Sequence, residues 1–305
     1  MSALLREYHR EQAARAKQIY VESMISAQAG KDWRNAHSVA RRQVVAALRA
    51  TDYLRDIPAG LSESGLHLTI LRHLMAPPIS QDQFALLCAD YPKRAEITGR
   101  GVSVAAATAV ASAFLAGRDR VLTRWLDGNG QPTSNQIRNL LRGVVPLLSV
   151  QNTATVRRGR MSVEQEAAIV ALLTDRGWTR QSSGLISSLT DVKPQHFLHK
   201  ARFATKTRPQ EVDIACGLPG TVVLAMECKV TNDETNSVKR INDVLKKAAA
   251  WQEHWGSFVR TAALLQGVIA FKDVDRLLEG RVEVFWSHDL TSFDSWLVEQ
   301  GWLTK

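Results

Sequence analysis

Apolar residues recur near the helical period of 3.6 in several stretches of the first half of the chain, and this spacing predicts helices there. Ser80 stands directly before one of these stretches and is a suitable N-cap. Strand-like alternation is absent before residue 150, so we predict a helical N-terminal domain at residues 1–150. Its predicted helices cover residues 4–25, 38–54, 80–91, 101–117, 118–126 and 133–148.

The middle of the chain predicts a domain boundary. Residues 151–160 are polar, basic and poor in apolar side chains, which is typical of a linker. Residues 161–178 then have a strong helical pattern, with Ser162 as a candidate N-cap and Gly177 as the stop.

After residue 178 the pattern changes to short runs of β-branched and aliphatic residues separated by turns. Helices at 236–256 and 292–302 interrupt these runs. The second domain, residues 160–305, is therefore predicted to run helix, three strands, helix, two strands, helix. Its predicted strands cover residues 196–205, 211–216, 221–230, 261–271 and 282–286.

The composition of the chain indicates a class of partner only through its charge. A chain of 305 residues that is 45% hydrophobic suggests about two globular domains. Its 39 Lys and Arg exceed its 30 Asp and Glu, and the net charge of +9 favours a polyanion such as nucleic acid. Residues 1–150 hold 19 basic and 12 acidic residues, so most of the excess lies in the helical domain.

Several classes of protein are disfavoured by the sequence. The three cysteines show no CxxC spacing, which favours a reducing, cytoplasmic setting over a disulfide framework or a zinc site. Residues 1–12 carry charges where a signal peptide needs an apolar core. The alanine-rich stretch 101–117 is too short and weakly apolar for a membrane span, so we expect no membrane partner. Neither GxxxxGK[ST] nor GxGxxG occurs, so we expect no nucleotide cofactor.

The predicted hairpin at residues 211–230 carries unexpected charges. Strand side chains alternate between faces, so Glu227 and Lys229 share one face while Cys228 points into the core. Residues that stand directly opposite each other in an antiparallel pair point to the same face. Asp213 therefore shares the face of Glu227 and Lys229 only if the numbers of two opposed residues, one from each strand, add up to an even number. That requires a three-residue loop at 218–220, a five-residue loop at 217–221, or a bulge.

Two interpretations of these charges stay open at this point. The three side chains form either a structural ion pair on a solvated strand face or a reactive site. In a reactive site, Asp213, Glu227 and the Cys228 backbone carbonyl suit a hard cation that prefers oxygen ligands. Such a cation polarises a phosphodiester and lowers the pKa of a bound water. Lys229 can then orient the water or stabilise developing charge.

Asp213 and the Glu-Cys-Lys of residues 227–229 resemble the PD-(D/E)xK nuclease superfamily, with Val212 where the motif has proline. The resemblance covers roughly residues 160–290. It implies an α+β, restriction-endonuclease-like core, in which a mixed central sheet is flanked by helices. The superfamily often has a further glutamate on the preceding helix, and this implies a catalytic role for Glu166 in support of the metal.

The helical pattern agrees with an inward orientation of Glu166. It shares a helical face with Ile169, Val170 and Leu173, whereas Glu164 lies on another face and is expected to be solvated. A purely structural role for Glu166 is the alternative.

The run at residues 228–242, together with the later Val-Phe-Trp-Ser-His-Asp-Leu, is similar to XamI-like type II restriction endonucleases. That resemblance implies a homodimer that needs Mg²⁺ and cuts a short palindrome in double-stranded DNA. Two alternatives remain: a structure-specific or repair nuclease with the same core, and an inert DNA-binding protein.

Candidate DNA contacts lie on both sides of the hairpin. The predicted start of the helix at 236–256 suits a phosphate, or is merely a capped and solvated first turn. The basic run at 193–208 can follow a DNA backbone. His196 and His199 in that run are either a metal pair or part of a basic strand facing DNA. Trp251 and Trp255 are interpreted as core. The candidate DNA contacts are Asn236, Ser237, Lys239, Arg240, Lys206 and Arg208.

Overall fold

The computed structural model describes residues 3–128 and 130–302 and divides the chain into two compact units. One unit consists of Met1–Ser26 together with Arg157–Lys305, and the other is Ala27–Val156. We call the first the sheet unit and the second the helical unit. Helix α1 (Ala3–Met24) belongs to the sheet unit. The first 26 residues thus belong to the same unit as the C-terminal half of the chain, whereas the sequence predicted them in the N-terminal domain at residues 1–150.

The helical unit confirms the helical reading of the first half. Its core is built from side chains of several helices, among them Val44, Leu71, Phe84 and Phe114. The predicted N-cap Ser80 forms a complete capping box with Gln83. Residues 118–126, predicted as helix, contain only a 3₁₀ turn at Arg124–Asp127. The helices are α2 (Ala27–Ala50), α3 (Ile57–Glu63), α4 (His67–His73), α5 (Gln81–Leu87), α6 (Lys93–Thr98), α7 (Val104–Gly117) and the first part of α8 (Ser134–Asp175).

The predicted linker at 151–160 is wrong, because these residues lie inside the continuous 42-residue helix α8. Within this polar stretch, the Thr153 hydroxyl donates to the Ser149 carbonyl four residues earlier. Ser162 is therefore an interior residue and not a cap. Gly177 ends the helix as predicted, with a left-handed φ of +79°.

A seven-stranded mixed sheet forms the centre of the sheet unit. The spatial order is β1-β3-β4-β5-β6-β7, with β2 paired to β3. Strands β4 and β5 are antiparallel, whereas β5, β6 and β7 run parallel. The strands are β1 (Thr179–Gln181), β2 (Leu185–Ile186), β3 (His196–Phe203), β4 (Gln210–Leu218), β5 (Val222–Thr231), β6 (Val259–Gly267) and β7 (Val282–Trp286).

Helices cover the two faces of this sheet, and the α+β prediction is confirmed. Ile169 and Leu173 of α8 pack on one face with Phe197 and Ile214. The other face carries α9 (Glu234–Trp255) and α10 (Phe271–Glu279), the second of which the sequence did not predict. Helix α11 (Leu290–Glu299) adds Phe293 to the first face. Among the described residues, no helix combines the length and apolar character that a bilayer crossing requires.

Helix α1 joins the sheet unit through small and aromatic side chains. Ala13 and Ala16 are buried in the same cluster as Ile241 of α9. His9 accepts a hydrogen bond from the Trp286 indole at 3.2 Å, and burial lowers the pKa of His9 to about 4. The imidazole is therefore neutral at physiological pH. These contacts explain why α1 does not belong to the helical unit.

Candidate active site

The register of the β4–β5 hairpin brings the predicted charges together. Ile214 pairs with Met226, so paired residue numbers add up to an even number, as the cluster requires. In the same register Asp213 stands opposite Glu227. The connecting loop has the required odd length but spans 219–221, because Leu218 still pairs with Val222. Gly220 and Thr221 adopt left-handed φ values of +76° and +61° to close it.

The β4–β5 ladder ends at the Ile214–Met226 pair, although both strands continue beyond it. The backbone N–H of Cys228 donates instead to Oδ2 of Asp213 at 2.8 Å. Because N–H and C=O groups of one strand residue lie on the same side, the Cys228 carbonyl also faces β4. The Cys228 side chain is buried in the apolar core, as predicted. The Asp213 carboxylate and the Cys228 backbone therefore lie side by side where the strands stop pairing.

Glu227 is fully buried, and only one of its two carboxylate oxygens forms hydrogen bonds. Its Oε2 accepts hydrogen bonds from Lys229 at 2.6 Å and from Lys247 of α9 at 2.8 Å. Its Oε1 is buried and has no hydrogen-bond partner. Burial raises the pKa of Glu227, although both ammonium groups oppose the shift. Burial alone would lower the pKa of Lys229, but the carboxylates of Glu227, Asp213 and Asp243 together raise it and keep the ammonium charged.

These positions exclude the solvated-face interpretation of the hairpin charges. Glu227 is 0% exposed and Lys229 is 7% exposed. A buried polar atom without a partner is costly and calls for a specific explanation. An ion or ligand at Glu227 Oε1 would remove that cost.

Lys200 of β3 links Asp213 to Glu166 of α8. Its Nζ lies 2.6 Å from Glu166 Oε1 and 2.8 Å from Asp213 Oδ1. The other Glu166 oxygen bonds to His199 Nε2 at 2.8 Å. Burial alone would raise the pKa of Asp213, but the hydrogen bonds from Lys200 and the Cys228 N–H lower it overall. Glu166 thus points inward as its helical face suggested, whereas Glu164 is exposed.

The sequence interpretation missed three members of this cluster. Lys200 was treated only as part of a basic run, His199 was interpreted as part of that run or of a metal pair with His196, and Lys247 was not considered. No motif marks them, because each reaches the site from an element other than the hairpin. Only the tertiary arrangement brings them to the site, because β3 lies beside β4, and α9 covers the face of β5 that carries Glu227 and Lys229.

The residues present fit a Mg²⁺ ion. Asp213, the unpartnered Glu227 Oε1 and the Cys228 carbonyl provide the oxygen ligands that this hard cation prefers. Within residues 3–128 and 130–302, no group of three or more His, Cys, Asp or Glu side chains is arranged to hold a metal. The fit therefore rests on two carboxylates and one backbone carbonyl. Glu166 is not counted among the ligands, because its two carboxylate oxygens already bond to Lys200 and His199.

The start of α9 differs from the expected phosphate site. The helix begins at Glu234, two residues earlier than predicted, and Asp233 caps it by accepting from the Asn236 N–H at 2.7 Å. These two acidic residues disfavour an anion there. Ser237 is completely buried and donates to Asp273, so its prediction as a DNA contact is wrong. The other three candidates at this helix start, Asn236, Lys239 and Arg240, are exposed and stay predictions.

The remaining candidates lie apart from one another. Lys206 and Arg208 are exposed between β3 and β4, and Lys206 pairs with Glu253 at 3.0 Å. His196 contacts the Pro194 carbonyl while His199 contacts Glu166, so the two histidines do not converge on a metal. Trp251 is fully buried in the core, and Trp255 packs partly against it, as interpreted from the sequence.

A basic groove lies within the helical unit between α2 and α8. Its volume is about 580 Å³, and four of its nine lining residues are apolar. No acidic residue lines it, and among the described residues no ion pair involves its three arginines. We call it the α2–α8 groove. It is lined by His37, Arg41, Ser134, Ile137, Arg138, Leu141, Arg142, Val145 and Pro146.

The sheet unit is a restriction-endonuclease-like core. Its defining features are the mixed sheet, the flanking helices, and the β4–β5 hairpin that carries the carboxylates and the lysine. The family model "XamI restriction endonuclease" matches residues 51–286, and the chain belongs to this family. It is 32% identical to the type II restriction enzyme XamI of Xanthomonas campestris pv. amaranthicola over 192 residues, which are 61% of this chain and 67% of that enzyme.

A solved structure with a much weaker likeness is the crystal structure of protein VC1899 from Vibrio cholerae. It is 12% identical in sequence, with a TM-score of 0.31. The match covers 90% of this chain and 57% of that one, so this chain spans little more than half of its length.

Proposed function

We propose that this chain is a type II restriction endonuclease that hydrolyses phosphodiester bonds at a specific site in double-stranded DNA with Mg²⁺. The observation that carries the proposal is the buried, unpartnered Glu227 Oε1 opposite Asp213, at the point where β4 and β5 stop pairing. The family match adds support, since this pair lies within the matched residues.

Each residue of the hairpin has a separate role in this proposal. Asp213, Glu227 and the Cys228 carbonyl would hold Mg²⁺, which polarises the scissile phosphate and lowers the pKa of water when bound. Lys229 keeps its proton, so its ammonium stabilises negative charge that develops on the phosphate oxygens. Glu166 acts indirectly, by fixing Lys200 beside Asp213.

The test is incubation of plasmid DNA with the protein and Mg²⁺, followed by sequencing of the cut ends. We expect both strands to be cut at one short sequence, and no cutting when Ca²⁺ replaces Mg²⁺, because its looser coordination positions water poorly. Cuts only at junctions or flaps would identify a structure-specific or repair nuclease instead. A protein that binds DNA but never cuts it would be the inert alternative.

We further propose that the α2–α8 groove holds the DNA backbone. Three guanidinium groups without carboxylate partners suit phosphates, and the apolar lining residues suit sugars and base edges. The charge excess of the first half of the chain supports the same assignment.

Replacing both Arg138 and Arg142 by Gln is expected to weaken DNA binding and to reduce its dependence on salt. Each phosphate contact contributes a slope of about −0.9 in a plot of log affinity against log salt, so the slope should fall in magnitude by roughly 1.8. The matched control is Arg94→Gln with Arg100→Gln, two exposed arginines of the same unit outside the groove. Binding is measured in Ca²⁺ by fluorescence anisotropy. Equal slopes for the two double variants would reject the groove as a DNA site.

We also propose that the enzyme acts as a homodimer. A palindrome presents two equivalent strands, and a twofold dimer supplies one active site for each. Light scattering on the DNA complex tests this, because a single chain of 33.8 kDa per duplex contradicts it.

A further inference from the structure

Lys200 has a strained backbone at the centre of the candidate active site. Its φ is +59°, although it lies within β3, and a non-glycine residue rarely adopts this value. The flanking pairs His199–Ile214 and Ala201–Val212 are intact and in the same register. The strain is therefore confined to Lys200, which stands opposite Asp213. Such outliers persist where the surrounding structure enforces them, commonly at functional sites.

The direction of the side chains changes at this strained residue. Phe197 and Ile214, on one side of it, belong to the apolar cluster of α8. Ala201 and Val212, on the other side, belong to the cluster around Trp251 of α9. The change lets a side chain at position 200 reach Glu166 of α8 and Asp213 of β4 together.

The carboxylates of the cluster are already paired with lysines. Glu166, Asp213 and Glu227 contribute three largely buried carboxylates, and Lys200, Lys229 and Lys247 contribute three ammonium groups. The half-exposed Asp243 adds a fourth carboxylate, which contacts Lys229 at 3.3 Å. One divalent cation adds two positive charges, which the phosphates of bound DNA can offset. Two divalent cations would add four positive charges beside carboxylates that lysines already pair, so repulsion between like charges opposes the second ion.

We propose that Lys200 occupies the place of a second metal ion, so that each active site takes a single divalent cation. The inference rests on the proposed function and concerns the number of ions that the site holds. Two-metal nucleases place a second cation between carboxylates near the first. Here the Lys200 ammonium lies between Glu166 and Asp213. The carboxylate oxygens that a second ion would need, Glu166 Oε1 and Asp213 Oδ1, are the two that Lys200 occupies. Lys200 is thus a positioning residue for Glu166 and Asp213.

The experiment is a titration of the protein with Mn²⁺, in which bound metal is counted from the loss of the EPR signal of free Mn²⁺. We expect one ion per chain for the wild type and for Lys200→Arg, which keeps the charge. We expect two ions per chain for Lys200→Met, which keeps the length and removes the charge. Lys200→Asn repeats the test with a residue that tolerates positive φ, in case the Met variant does not fold. A structural ion pair would not change the number of ions when it is removed.

The outcomes separate this inference from the proposed function. Two ions in the wild type, or one ion in both neutral variants that fold, overturns the role of Lys200 and leaves the nuclease proposal intact. No bound ion in the wild type overturns the metal site itself and the role of Lys200 with it. Glu227→Gln serves as the reference for a lost ligand and is expected to bind no ion.

Discussion

Lys229→Met is expected to reduce DNA cleavage by about 10²–10³-fold, because it removes a preorganised positive charge that acts on the transition state. Folding should be largely retained, since Lys247 still donates to Glu227 Oε2 at 2.8 Å. DNA binding should also be retained, because phosphate contacts elsewhere supply most of the affinity. Cleavage is measured in single turnover with Mg²⁺, and binding is measured in Ca²⁺.

Asp213→Asn should lose cleavage to a similar extent, since it removes the charge of a proposed metal ligand. The matched control is Lys246→Met, an exposed lysine of α9 beside Lys247, which should cut at the wild-type rate. If Lys229→Met cuts as fast as this control, the hairpin is not the active site.

The largest effect on stability is expected for Glu227→Ala, at about 3–5 kcal/mol in the free energy of unfolding. The substitution leaves the ammonium groups of Lys229 and Lys247 buried without their shared acceptor. Adding Lys247→Met to this variant should recover part of the loss, because only one ammonium then lacks that acceptor, and Lys229 still contacts Asp243 at 3.3 Å.

Chemical denaturation of the single and double variants measures this coupling directly. Glu164→Ala is the control, since Glu164 is exposed and its loss should change stability by less than about 0.5 kcal/mol. A loss at Glu227 no larger than at Glu164 would contradict the buried position of this carboxylate. Recovery in the double variant separates unpaired charge from simple loss of packing.

The sequence by itself determined the local features of the sheet unit. Period-two alternation placed Cys228 in the core and Glu227 with Lys229 on the opposite face, because the faces of a strand follow from its own residues. The helical spacing of the apolar residues around Glu166 likewise predicted that this side chain points inward, because the faces of a helix also follow from its own residues. From the sequence we could also state the pairing of β4 with β5 that brings Asp213 to Glu227, namely one in which opposed residue numbers add up to an even number, and the structure has this pairing.

Continuity of helices and membership of units were decided only by the tertiary structure. The polar stretch at 151–160 has a weak helical signal, yet it is helical, and within it Arg157 donates to the Tyr20 carbonyl of α1 at 3.3 Å and lies over the Tyr20 ring. Helix α1 joins the sheet unit because Ala13 and Ala16 find partners on α9 and its neighbours, far along the chain. No local pattern carries either result.

The lysines that complete the site also depended on the tertiary structure. Lys200 reaches Glu166 and Asp213 only because β3 lies beside β4 and its backbone is strained at that residue. Lys247 reaches Glu227 only because α9 packs on that face of β5. Sequence patterns fix the period and the faces of each element, but the order of strands and the docking of helices fix which charges meet. The pairing of three largely buried carboxylates with three ammonium groups is therefore a property of the fold and not of any motif.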